Sequence, residues 1–119
     1  MFLEKSMFIT PKGDHYTLNI FTVPTKIDKN FFEKQQLLLD SAKAVSAPYF
    51  VLAEEYITKR CRTQGVEVPQ LKPRVLYEIS NPNEAEFHVR MPMPFSELTR
   101  TENKVKDMFI GELMKKGWI

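Results

Sequence analysis

His15, His88, Cys61 and the carboxylates at Glu54-Glu55 and Glu84/Glu86 are the side chains best suited to chemistry in this 119-residue chain. Both histidines fall on strand-like stretches, and Glu86 stands two residues before His88, so a metal site is conceivable. No recognised ligand spacing supports one, and isolated strand histidines read as solvated residues of a polar face. Cys61 sits among Lys59, Arg60 and Arg62, a basic setting of the kind that activates thiols. With no histidine beside it in the pattern, it reads as a small helical residue. There is no nucleophile elbow, and four glycines leave no phosphate-cradling loop. Nothing suggests an apolar pocket around the paired glutamates, which general acid/base work requires. The sequence therefore predicts no catalytic residue, no metal ligand and no cofactor, in a chain that is not an enzyme.

These residues hang on a β framework centred on Pro73 to Phe95. Ala85, Phe87, Val89 and Met91 alternate with Glu86, His88 and Arg90, the period-2 pattern of a strand with one buried and one wet face. Val75, Tyr77 and Ile79 give the preceding strand a matching apolar face. Ser80-Asn81-Pro82-Asn83 supplies turn chemistry between them. An earlier strand is expected over His15 to Val23, with Tyr16, Leu18 and Ile20 on one face, Thr17, Asn19 and Phe21 on the other, and Pro24 closing it. Met7-Phe8-Ile9 is a further short strand by composition, followed by the turn Pro11-Lys12-Gly13-Asp14.

Asp28 to about Gln64 is helical by pattern. Asp28 is the expected N-cap, with Ile27 and Phe32 placed as a hydrophobic staple. Leu38, Ala42, Val45, Tyr49, Leu52 and Tyr56 form one apolar stripe, and Gly65 suits the C-terminal stop. A straight helix of this length would run ~55 Å at 1.5 Å per residue, against a radius of gyration of roughly 13–14 Å for such a domain. Pro48 would also remove a hydrogen bond from its interior. A bend or break near Ser46-Ala47-Pro48 follows, with Ser46 able to cap the second segment. After the Pro69–Pro73 connector and the hairpin, a last helix is expected from Ser96 or Thr99 to Lys116. Thr99 and Glu102 are its capping box, Leu98, Val105, Met108, Phe109 and Leu113 its stripe, and Gly117 its end.

The resulting order predicts an α+β chain, a ferredoxin-like split β-α-β sandwich (β-α-β-β-α) with a long first helix bent at Pro48. Residues 15–119 would form this domain and residues 1–14 an N-terminal segment, with an edge strand from a preceding domain. The net charge of +2 is nearly balanced and gives no nucleic-acid signal. RNA-binding domains of this framework stack bases on sheet aromatics, whereas the wet face here offers Glu86, His88 and Arg90. A single cysteine excludes an intramolecular disulfide, and no apolar stretch approaches the ~20 residues that span a bilayer. Met91, Met93 and Phe95 around prolines, with Trp118 and Ile119 at the end, are more apolar edge than a monomer needs. These five residues are the candidate inter-subunit contact.

KNFFEKQQLLLDSAKAVSAPYFVLAEEYITKRC, then LKPRVLYEI, then EFHVRMPMPF and the last helix resemble the soluble C-terminal domain of small-conductance mechanosensitive channels. Pro73-Arg74-Val75, Phe87-His88-Val89-Arg90 and Val23-Pro24 carry the match, over about residues 15 to 116. The resemblance implies a non-catalytic vestibule domain on the cytoplasmic side of the membrane. It also implies a homo-oligomer, a heptamer by family pattern, that assembles below a pore and controls solute or ion access to it. The family's transmembrane helices are absent, so the resemblance implies a soluble fragment of a larger membrane protein. Ser80-Asn81-Pro82-Asn83 also replaces the smaller hairpin turn common in the family. The alternative is a free-standing, dimeric ferredoxin-like regulatory or small-ligand-binding domain.

Overall fold

The computed structural model describes residues 15–119. The expected strand at Met7-Phe8-Ile9 and the rest of the N-terminal segment lie outside them. In chain order the elements are β1 (Tyr16–Lys26), α1 (Phe31–Ser46), α2 (Phe50–Thr63), β2 (Arg74–Asn81), β3 (Glu84–Pro94) and α3 (Leu98–Lys115). A single 3-10 turn, Phe95–Glu97, leads into α3. The three strands form one sheet in the order β1-β3-β2, and β3 runs antiparallel to both neighbours. The chain is α+β, and none of its described helices is long and apolar enough to cross a membrane.

β3 is the centre of the sheet because its alternation is the strictest. Ala85, Phe87, Val89, Met91 and Met93 are all buried and form the spine of the core. Opposite them the register places Phe21 against Val89 and Val23 against Phe87 on one side, and Val75 against Val89 on the other. Helices α1 and α3 cover this face with Phe31, Leu38, Ala42, Val105, Phe109 and Leu113. The same register decides which face of β1 turns inward. Phe21, flanked by Asn19 and Val23, points to the helices, while Ile20 points away from them and is 60% exposed. Pairing with β3 fixes this orientation, since directly paired residues share a face. β1 also continues past Pro24 to Lys26, which an outer strand tolerates because its outward side needs no N–H donor.

The long helical segment breaks where Pro48 predicts. α1 ends at Ser46 and α2 begins at Phe50. Ser46 does not cap α2. Its hydroxyl donates back to the Lys43 carbonyl at 3.3 Å, and Tyr49 holds the N-cap position. The break also resets the helical phase. Ala53 and Ile57 are the buried residues of α2, whereas Leu52 is exposed. Asp28 likewise does not cap α1, whose N-cap is Asn30. Its carboxylate accepts instead from the Asn30 backbone N–H at 2.9 Å and from the buried Lys34 ammonium at 2.8 Å. At α3, Glu97 takes the N-cap position without a side-chain bond, and Glu102 accepts from Asn19 Nδ2 at 2.9 Å, tying the helix to β1. Of its expected stripe, Val105, Phe109 and Leu113 are buried, Thr101 joins them, and Met108 is exposed.

Gly65 and Gly117 end α2 and α3 with φ of 71° and 73°. Each is followed by the paired back-bonds of a Schellman cap: Val66 N–H to Cys61 and Gly65 N–H to Arg62, then Trp118 N–H to Leu113 and Gly117 N–H to Met114. The second cap lays Trp118 against the core, with the Lys116 ammonium 5.5 Å from its ring centre.

Candidate functional site on the open sheet face

The register also determines what the other face of the sheet displays. Thr22 and Leu76 flank His88, Glu78 pairs directly with Glu86, and Ile20 and Arg74 flank Arg90. These rows are built by the alternation that buries Phe87 and Val89, since successive residues of a strand point to opposite faces. Ile20 and Leu76 leave 60% and 51% of their surface exposed, so this face mixes charge with uncovered apolar side chains.

His88 is the centre of the polar part. Its Nδ1 lies 3.3 Å from Thr22 Oγ1, and its Nε2 lies 3.4 Å from Glu78 Oε1 and 4.0 Å from Glu86 Oε1. One ligand atom from each of Glu78, Glu86 and His88 falls within 4.8 Å of the other two. The sequence pointed to Glu86 and His88 but not to Glu78, which lies on another strand. Only the hairpin register, with its irregularity between Ile79 and Asn81, shows that Glu78 opposes Glu86.

His15 does not join this cluster. It lies seven residues along β1 from Thr22, a separation of roughly 23 Å at strand spacing, and its ring stacks on Tyr56 with centroids 5.3 Å apart. There it lines a shallow depression of about 350 Å³ with Tyr16, Arg60, Cys61 and Phe95. The sequence had set Cys61 apart from any histidine; the packing of α2 on the end of β1 puts Cys61 and His15 in one depression. The Tyr49 hydroxyl donates to the Pro92 carbonyl at 2.7 Å, and burial pushes its phenol well above the ordinary tyrosine range.

The five candidate interface residues separate. Met91 and Met93 are fully buried beneath α1 and α3, so they are core and not contact residues. The alternation of β3 continues through Pro92 and Pro94 and carries both methionines to the helix side. Trp118 is half-buried against the same core. Phe95 and Ile119 stay 63% and 69% exposed.

No family model, curated protein or solved structure matches the chain.

Proposed function

We propose that this is a non-catalytic assembly domain, the cytoplasmic vestibule domain of a mechanosensitive-type channel, contributing to oligomerisation and to solute or ion access to a pore. The observation that carries it is the apolar surface left uncovered. Ile20 and Leu76 stand on the sheet face, Ile110 and Met114 stand one turn apart on α3, and Phe95 and Ile119 stand at the ends of their elements. Exposed apolar side chains at these positions would offer a second copy apolar area to bury.

The strand order adds support at the level of architecture. Strands β1 and β2 both run antiparallel to β3, which lies between them, and the α1–α2 pair connects them. On the proposed reading this connectivity is that of a split β-α-β, as in a ferredoxin-like sandwich. Among the described residues the outer sides of β1 and β2 have no strand partner, and such edges accept strands from other chains. The proposal of a channel domain in particular rests on the resemblance of the Pro73-Arg74-Val75 and Phe87-His88-Val89-Arg90 strands.

The reading frame upstream of Met1 tests the proposal. Apolar spans of about 20 residues encoded there are expected, and an in-frame stop immediately upstream overturns it. Exposure of Ile20 and Leu76 on the same sheet face favours one second reading, a free-standing dimer packed sheet to sheet. A stable dimer by light scattering, dissociated by Ile20→Lys, would establish that reading in place of the first.

A further inference from the structure

We propose that Glu78, Glu86 and His88 form a divalent transition-metal site on the open sheet face, with Zn²⁺ as its preferred occupant, fastening β2 to β3. The proposal is independent of whether the domain serves a channel.

Three features of the cluster point the same way. The first is distance. Ligands of a tetrahedral zinc at 2.0–2.2 Å stand about 3.3–3.5 Å apart. The 3.4 Å between His88 Nε2 and Glu78 Oε1 has this spacing, and it is long for a charge-assisted hydrogen bond of ~2.7–2.9 Å. Glu86 Oε1 stands 4.0 Å away on a half-exposed side chain, and the proposed site needs it to turn toward the metal.

The second feature is charge. Glu78 and Glu86 are direct cross-strand partners, and like charges in that relation destabilise a sheet. A cation between them reverses the sign. Arg74 and Arg90 form the adjacent row, but their charge belongs to flexible side chains one register step away. They offset part of the carboxylate field and make the site weaker than an all-acidic one.

The third feature is the ring's orientation. Thr22 Oγ1, 3.3 Å from Nδ1, holds the ring with Nε2 facing the two carboxylates, and in the tautomer that donates Nδ1–H to Thr22 the Nε2 lone pair can bind a metal. A partner on the far ring nitrogen is how metal-ligating histidines are held. Imidazole nitrogen with carboxylate oxygen suits zinc and its first-row neighbours better than calcium or magnesium, which take oxygen alone. Three protein ligands leave a fourth position for water or for a group from another chain.

Titration calorimetry of Zn²⁺ into the chain carrying His15→Ala and Cys61→Ser tests this, because those substitutions remove the donors of the Cys61 depression. One Zn²⁺ per chain is expected, together with a rise in Tm on metal addition. Adding His88→Ala should abolish both, and Glu78→Gln or Glu86→Gln should weaken binding at least tenfold. Thr22→Val should weaken it by roughly ten- to a hundredfold, the usual effect of removing an orienting partner. Co²⁺ in place of Zn²⁺ should give a visible absorption band that His88→Ala removes, and the far-UV spectrum of each variant controls for folding. Absence of binding in the His15→Ala/Cys61→Ser chain, or affinity unchanged by His88→Ala, overturns the site.

Discussion

Lys34 shows how one polar contact constrains a fold. Its ammonium is almost wholly buried and is held by Asp28, whose carboxylate also terminates the turn before α1. The hydrogen bond from Lys34 holds the Asp28 carboxyl below its ordinary value. A carboxyl whose folded value is lowered contributes stability above its unfolded value of 3.8, and loses it as pH falls through the folded value. Asp28→Ala should destabilise the domain by about 1 kcal/mol, the low end for stranding a charged donor because water reaches half-exposed Asp28. Lys34→Met, which removes the charge and keeps the stem, should cost less. Urea titration of the two variants at pH 7 checks the order. Tyr49 gives the opposite pH dependence. Its folded value is raised, so its contribution is complete below the unfolded tyrosine value of about 10 and is lost as pH rises above it. Tyr49→Phe should cost about 1 kcal/mol at pH 7 through loss of the Pro92 bond. It should also remove part of the fall in Tm above pH 10, measured by alkaline thermal scans.

Among the elements, β3 and the break after α1 govern the arrangement. Met93 and Phe95 are two residues apart and do opposite things, one buried and one exposed. Met93→Ala should destabilise the domain by roughly 2–5 kcal/mol, as deletion of a packed core side chain does. Phe95→Ser should stay within about 0.5 kcal/mol, as surface changes usually do. Denaturant midpoints of the two variants separate core from surface at this corner. Gly117 fixes where α3 stops. An alanine there meets open space but must adopt φ of 73°, at a cost of ~1–2 kcal/mol, and the strain should loosen Trp118 from the core. Tryptophan emission should lie further to the red in Gly117→Ala than in the native chain, and a fluorescence spectrum of each measures this.

At the scale of the whole molecule, the proposed assembly would bring copies together through the exposed apolar residues and the sheet face that α1 and α3 leave uncovered. On that proposal, Phe95→Ser combined with Ile119→Ser should lower the oligomer fraction with the folded fraction unchanged. Sedimentation velocity on the full assembly reads both. Met93 is unsuitable for that test, because its substitution acts on folding before it can act on assembly.

Much of the secondary structure is legible in the residues. The alternation over Ala85 to Met91, the turn at Pro82-Asn83, the break at Pro48 and the two glycine stops each follow from local preference, and the structure has them. The caps at Asp28, Ser46 and Thr99 are not where spacing puts them, because Lys34, Lys43 and Asn19 supply partners that a linear pattern does not contain. Only the tertiary structure decided which face of β1 turns inward, that Met91 and Met93 are core, and that Glu78 stands beside Glu86 and His88. The sequence by itself determined the periods, breaks and stops, because these depend on backbone angles and on neighbours within a turn. Facing, burial and the carboxylate–histidine cluster depend on pairing between strands distant in the chain, and that register is fixed only when β3 is packed between β1 and β2 under the two helices.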